Sequence, residues 1–211
     1  PHPMRYIGAL LSFVEPHARK LVDMPFYAGV IATIFVLFIV ACTVSALLAL
    51  PGFLHYIISV YLAFSGFAHG QRIREGRKAL ALIEAGKIPA ARTAVSYLVS
   101  RDVSDADGPE LSRVLAETLA ENFNDAFVAP LFWFIIGGPV GLWLYKTVST
   151  MDSMWGYRHE PWTRFGTFAA RLDDVLAFIP ARLTVLILAI RTTLLVSVVD
   201  LDPGLPWPGF S

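Results

Sequence analysis

The chain is poor in charge. Only 16% of its 211 residues are Asp, Glu, Lys or Arg, against 55% hydrophobic, and the mean hydropathy is +0.58. Soluble domains carry about 25% charged residues, so this chain is short of the polar surface that water demands. It also lacks an excess of either sign. Its 17 basic and 17 acidic residues cancel, which argues against nucleic-acid binding, where a basic excess is the electrostatic footprint. Cysteine is reduced to Cys42, inside an apolar run, so no internal disulfide can form and the redox compartment stays open. The histidines, at positions 2, 17, 55, 69 and 159, form no pair at i, i+4, which speaks against zinc. Residues 1–20 do not read as a secretory signal, because their basic residues follow the apolar patch 6–14 and no small-residue cleavage site is evident. The first residue is Pro1 rather than Met, so a true start further upstream is expected.

What the sequence does have is long runs without charge. A span takes roughly 20 apolar residues to cross about 30 Å of hydrocarbon. Residues 26–50 are 25 residues without one formal charge. Pro51 and Gly52 break the run, and residues 53–69 follow as a shorter second span, so the two read as a tight helical hairpin. Residues 126–145 are a third uncharged run, and residues 184–199 a fourth, interrupted by Arg191. The expected fold is all-α: a polytopic integral membrane helical bundle, one membrane domain over residues 1–211. Amphipathic helices on the cytoplasmic side fill the polar segments 71–125 and 146–180. Short-loop Lys/Arg bias sets sidedness. Arg5, Arg19 and Lys20 precede the first span, and Arg72, Arg74, Arg77, Lys78, Lys87 and Arg92 follow the second. The connection at Pro51 and Gly52 has none, nor does anything after Arg191. Both ends of the hairpin are therefore assigned to the cytoplasm of a multi-pass inner-membrane protein, and residues 200–211 to the outside.

The third run poses a conflict. As one straight helix it would hold its ends about 30 Å apart and carry "STMDSMWGYR" (149–158) to the outer face. Yet "IIGGPVG" sits at its middle, and Gly-Gly-Pro is a poor centre for a helix. A re-entrant hairpin turning at Gly137, Gly138 and Pro139 gathers every dense polar segment on one side and is the favoured reading. A kinked but complete span is the alternative. Non-helical backbone at that depth survives only where protein or a water-filled cavity shields it.

The polar segments are unequal in information. Residues 71–98 read as short helices lying against the membrane, punctuated by Gly86 and Pro89, and "GRKA" lacks the second Gly-Lys-Ser/Thr element of a phosphate loop. Asp105 to Pro109 form a turn and N-cap region, from which a helix is predicted to run to about Asp125. On it Glu117, Glu121, Asn124 and Asp125 share one stripe about 100° wide. Carboxylates stacked this way repel unless cations sit between them. A divalent metal would resolve the repulsion, and Mg²⁺ takes a carboxylate or two plus waters and phosphates. The other reading is a solvated face, with Arg113 pairing Glu117 at i+4. The stripe runs into the membrane at Ala126, where idle charge is expensive. Beyond the third run come Lys146, the "STMDSMWGYR" stretch and "FGTFAARLDDVLAFIPARL" (165–183). There Arg171 and Asp174 are i, i+3 neighbours, Asp173 points elsewhere, and Pro180 interrupts the helix before Arg182, which can snorkel. Acids, Lys146 and several arginines at one interface suit a ligand bearing phosphate or carboxylate.

Five stretches carry a resemblance: "HPMRYIG" (2–8), "VSRD" (99–102), "ETLAENFNDAFVAPLFW" (117–133), "YKTVSTMDSMWGYR" (145–158) and "FGTFAARLDDVLAFIPARL" (165–183). In this order they resemble the adenosylcobinamide-phosphate synthase family of cobalamin biosynthesis. Three positions depart from the family pattern: Ala126 replaces its usual Gly, Ser149 its Asn and Phe178 its Trp. Family members continue with a Ser-Pro-Asn-bearing region and a further membrane segment. This chain ends at Ser211 without them, so a truncated or divergent short member is expected.

The resemblance implies an integral membrane enzyme, a carbon–nitrogen ligase. It joins an aminopropanol-type amine, or its phosphate, to a carboxylate of adenosylcobyric acid with ATP and Mg²⁺. It implies catalytic roles for Asp125, Asp152, Asp173, Asp174 and Lys146, with Glu117, Glu121 and Asp125 toward the metal. Substrate and phosphate contacts would fall to Arg5, Arg101, Arg158, Arg171, Arg182, Asn122, Ser153 and Tyr157. Trp155 and Tyr157 also suit interfacial anchors. The bilayer is the expected partner, with no nucleic acid, and a homo-oligomer is left open. Two rival readings remain: a transporter, suggested by the broken third run with Arg182 and Arg191, and a non-catalytic membrane regulator on the same scaffold. No internal repeat supports the first, and the aspartates weigh against the second.

Overall fold

The computed structural model describes residues 2–67, 70–99, 101–156 and 164–201. They form α1 (Pro3–Leu21), α2 (Pro25–Leu48), α3 (Phe53–Gly66), α4 (Gly70–Glu84), α5 (Ile88–Ser96), α6 (Gly108–Phe123), a π-helical turn (Asn124–Val128), α7 (Ala129–Trp155) and α8 (Thr167–Leu201). Among these residues there is no strand, and the all-α expectation holds. By length and composition α2 and the helical run Gly108–Trp155 can each cross a membrane, and α3 is a shorter apolar helix. Ile31, Phe35 and Phe38 of α2 and Tyr56, Val60 and Phe64 of α3 point outward, uncovered. So broad an apolar exterior is a membrane-facing surface rather than a water-facing one.

Local chemistry marks the boundaries. α1 starts on His2, whose Nδ1 accepts from the Met4 amide at 3.3 Å, with Pro3 in the first turn. Arg19 and Lys20 in its last turn suit the negative end of the helix dipole. α6 starts on Asp107, whose carboxylate accepts from the Glu110 amide at 2.9 Å. Gly52, at φ 65°, turns α2 into α3.

Two cores result. In the larger, Ile7, Leu11, Val14 and Ala18 of α1 pack with Ala28, Ala32, Val36, Val40 and Val44 of α2 and with Leu142, Trp143, Met151 and Trp155 of α7. In the smaller, α4, α5 and α6 close over Ala79, Ala91, Val95, Leu111, Val114 and Leu115. The polar segment 71–125 is thus a compact three-helix unit.

α1 corrects the expected placement of Arg5. Its buried stripe at positions 7, 11, 14 and 18 folds it back along α2. Pro3, Tyr6 and Leu10 share a cavity of about 410 Å³ with Ile39, Val40, Thr43 and Leu47 of the far half of α2. Arg19 instead lies 4.3 Å over the ring of Phe165, whose backbone abuts Gly29 near the start of α2. Arg5 and Arg19 therefore sit at opposite ends of α1, and the basic residues before α2 do not form one group.

α7 doubles back. Gly138 leaves helical geometry at φ 58°, ψ −150°, just before Pro139. The backbone of Gly141 presses on the carbonyl of Trp133. Leu142 fills the space beside Gly66, and the Trp143 indole donates to the Leu62 carbonyl at 3.2 Å. The bend thus lies beside the second half of α3, and the run 126–145 doubles back on itself as a hairpin.

α8 differs from expectation at Pro180, where the helix continues instead of breaking. A proline has no N–H for the carbonyl four residues back, here that of Leu176. The Trp133 indole supplies the missing donor at 3.1 Å, so the hairpin itself repairs the helix. Arg191 falls in the part of α8 whose side chains lie outside the described residues.

Candidate active site

The site starts at the π-helical turn. Its extra residue re-aims the side chains where α6 passes into α7, a distortion frequent at functional sites. Asn124 is buried there. Its Oδ1 accepts from the Thr184 hydroxyl at 3.0 Å, which ties α8 to the turn, and its Nδ2 donates to Asp125 at 2.9 Å. The returning arm of α7 adds Tyr145, 1% exposed, and Lys146, 5% exposed. Lys146 and Asp125 lie within electrostatic reach and compensate one another. A straight helix would set Asp125 and Asp152 about 40 Å apart. Here their charges interact, which only the hairpin allows.

α8 brings the third wall, Asp173. Its Oδ1 is buried with no hydrogen-bond partner among the described residues. The Tyr145 hydroxyl faces Asp125 and Asp173 but closes no hydrogen bond of ordinary geometry. Asp152 and Asp173 belong to the polar segment 146–180, outside the apolar runs. Burial, then the charges of Asp152, Asp125 and Asp174, push the Asp173 carboxyl up to about 7. Burial, then Asp174 and Asp125, raise Asp152 as well. Acids crowded in a dry place resist ionising together.

Beside this corner runs an open groove of about 410 Å³, lined by Leu98, Val99, Arg101, Glu117, Thr118, Glu121, Asn122 and Asp125. Arg101 clasps Glu117 across it, and Arg113 lies 3.7 Å from the other oxygen of Glu117. The Arg101 hydrogen bond holds Glu117 below the usual carboxylate range.

With that geometry in hand, the profile of the family described as CobD/Cbib protein matches residues 1–202. The chain belongs to this family. Among the curated CobD/Cbib relatives, the "Probable cobalamin biosynthesis protein CobD" of Pyrococcus abyssi is 40% identical over 190 residues, covering 88% of this chain and 63% of the relative. The "Cobalamin biosynthesis protein CobD" of Clostridium perfringens is 38% identical over 200 residues, 92% and 63% respectively. That of Klebsiella pneumoniae is 33% identical over 202 residues, again 92% and 63%. The CobD/Cbib chain thus spans somewhat under two thirds of these relatives' length. No solved structure matches it.

The fold sorts the expected site residues of this CobD/Cbib chain. Asp125, Lys146, Asp152 and Asp173 come together, with exposed Asp174 at their edge. Arg101, Glu117, Glu121 and Asn122 border the adjoining groove. Arg5 is exposed on α1, away from this corner. Arg182 turns onto its own helix, 3.3 Å over the Phe178 ring and donating to the Phe178 carbonyl at 2.7 Å, so it anchors that helix and does not reach the site. Arg171 is exposed and forms no ion pair with Asp174. Ser153 is exposed and donates to the Ser149 carbonyl at 2.9 Å. Tyr157 and Arg158 lie outside the described residues.

As a three-carboxylate metal set, Glu117, Glu121 and Asp125 need correction. Glu117 is engaged by two arginines, and no three His, Cys, Asp or Glu side chains among the described residues come close enough to hold one ion. The donor chemistry still fits Mg²⁺ of the kind that takes one or two carboxylates, with phosphate and water for the rest. Asp125, shared by groove and corner, and Glu121 are the groove carboxylates that could hold it. Tyr145, Asn124 and Thr184 were not among the expected site residues. Tyr145 adjoins Lys146 in sequence, but nothing in periodicity shows that its hydroxyl is sealed against two aspartates.

Proposed function

We propose that this chain acts in cobalamin biosynthesis as an ATP-dependent amide ligase, joining an aminopropanol-type amine or its phosphate to a carboxylate of adenosylcobyric acid. The product is adenosylcobinamide or its phosphate. The site faces the cytoplasm from a multi-pass inner-membrane bundle. The observation that carries this reading is the meeting of buried Lys146, half-buried Asp152 and Asp173 and exposed Asp125 where the hairpin joins α8. The names of the CobD relatives place them in the same biosynthesis.

Amide formation in water needs an activated acyl group, and ATP with Mg²⁺ supplies the phosphoryl group that activates it. The chain's own residues divide the remaining work. Arg101 at the groove offers a planar donor fork for phosphoryl oxygens once it exchanges Glu117 for them. Lys146, buried and set against Asp125, offsets part of the negative charge at the site. The amine arrives as an ammonium ion and must lose a proton before its lone pair can attack. Asp173, raised toward neutrality, is matched to receive that proton at physiological pH.

The test is turnover by the purified protein in lipid nanodiscs with adenosylcobyric acid, aminopropanol phosphate and ATP-Mg²⁺. Asp125→Ala and Asp152→Ala should each abolish the amide product while leaving membrane insertion intact. Normal conversion by either variant would overturn the assignment.

A further inference from the structure

We infer that Thr184 of α8 is a positioning residue for Asp125, acting through the buried side-chain amide of Asn124. The inference rests on the ligase reading, in which Asp125 is a groove carboxylate available to Mg²⁺, and deepens it by naming what aims that carboxylate.

Two hydrogen bonds in series carry it. The Thr184 hydroxyl donates to Asn124 Oδ1 at 3.0 Å, and Asn124 Nδ2 donates to Asp125 Oδ1 at 2.9 Å. Their directions follow from the chemistry of the groups. A carboxylate only accepts, so the amide turns its NH₂ end to Asp125 and its carbonyl end to the hydroxyl. The hydroxyl also lies 3.1 Å from the Pro180 carbonyl, and it has a single proton to give. α8 continues through Pro180, so that carbonyl already takes the backbone N–H of Thr184, and the hydroxyl proton goes to Asn124.

Burial sorts the three residues into a support and a working end. Thr184 is 3% exposed and Asn124 6%, whereas Asp125 is exposed and lines the groove. An amide buried this far is tolerated only where its ends are bonded, and here one bond reaches α8 and the other a groove carboxylate. The π-helical turn makes the connection, since the neighbours Asn124 and Asp125 face inward to α8 and outward to the groove. Trp133 supplies the comparison. It also bonds α8, at the Leu176 carbonyl one turn before Pro180, but that bond ends on the helix. The Thr184 bond continues to Asp125. An exposed carboxylate has several rotamers open to it, and a donor held from behind selects among them. Loss of such a supporting partner typically costs about tenfold to a hundredfold in metal affinity.

The experiment titrates Mn²⁺ with ATP into the protein in lipid nanodiscs, read by water-proton relaxation, beside the thermal midpoint of each variant. Thr184→Val keeps the shape of the side chain and removes the hydroxyl. It should weaken Mn²⁺ by about tenfold to a hundredfold. Asn124→Ala cuts the same relay at its middle and should lose as much. Thr184→Ser keeps the hydroxyl and should bind Mn²⁺ as the native protein does. Trp133→Phe removes the other bond to α8. It should lower the midpoint and leave Mn²⁺ affinity in place, which separates aiming the carboxylate from bracing the helix. In turnover, KM for ATP-Mg²⁺ should rise in Thr184→Val while KM for the amine stays fixed. Native affinity in Thr184→Val or Asn124→Ala, weakened binding in Thr184→Ser, an equal loss in Trp133→Phe, or no Mn²⁺ bound by the native protein would each overturn the inference. If Mn²⁺ binding behaves as stated but no amide forms from adenosylcobyric acid, the ligase reading fails and the relay stands.

Discussion

Gly141 rests with its Cα against the carbonyl oxygen of Trp133, eight residues earlier in the chain. Two arms of α7 can approach this closely only because position 141 has no side chain. The same Trp133 donates its indole N–H to Leu176 of α8, so the contact sets the hairpin and α8 together.

A methyl group at position 141 would overlap the Trp133 carbonyl and push the arms apart. Gly141→Ala should therefore destabilise the protein by about 1–3 kcal/mol, as overpacking does, seen as a lower thermal midpoint in detergent. Gly137, near the bend, has open space around its Cα and no positive φ. Gly137→Ala should be nearly neutral. Equal midpoints for the two variants would mean that the arms are not in contact.

Doubling back also fixes which residues share a side. In a Cys42→Ser background, single cysteines at Ser153 and Lys87, both exposed, should react with an impermeant thiol reagent from the same face of a sealed vesicle. A cysteine at exposed Phe53, the first residue of α3, should react from the other. Labelling of Ser153 together with Phe53 would replace the hairpin by a full crossing and split the site.

The parts of this arrangement that were legible in advance were those written as runs or breaks. Residues 26–50 lack charge, and a helix follows from that alone. Gly137, Gly138 and Pro139 announce a bend because their backbone chemistry is local. Arg5 misled, because a basic residue before the first span groups with Arg19 and Lys20 unless the buried stripe at Ile7, Leu11, Val14 and Ala18 is weighed against it. Pro180 misled because its repair comes from Trp133, on a different helix. The π-helical turn left no signal, since one extra residue in a helix is set by tertiary packing around Asn124 and Thr184. For the same reason the stripe of Glu117, Glu121 and Asp125, regular on an ideal helix, separates into a groove part and a corner part.

Lys146 and Asp125 test the electrostatics of the corner. Lys146 is 5% exposed and set against Asp125. Lys146 is the buried member and Asp125 the exposed one, so removing Lys146 leaves a carboxylate that water still solvates, at a cost of about 1 kcal/mol or less. Lys146→Met should show that loss in equilibrium unfolding in detergent, and Asp125→Asn added to it should recover most of the stability. Turnover should stay absent in both. A double variant no more stable than Lys146→Met would show that the two charges are not coupled.

Asp173 gives the corner a pH dependence of defined sign. Its carboxyl stands near 7 in the folded protein because of burial and then the charges of Asp152, Asp125 and Asp174, against about 3.9 in an unfolded chain. Between these values the folded state holds the extra proton, so stability falls as pH rises. The contribution is complete below about pH 4 and gone above about pH 7. Asp173→Asn removes the titration without changing the shape of the side chain. Its thermal midpoint should vary less than that of the native protein between pH 5 and pH 7, on the order of the window these pKa values bound. At the alkaline end of that window the variant should be the more stable of the two. Amide synthesis should run the opposite way, rising in the native protein as Asp173 ionises through about pH 7, because only the ionised form can accept a proton from the amine. Parallel stability profiles for the two proteins, together with a turnover curve that does not change across neutrality, would remove Asp173 from the role assigned to it.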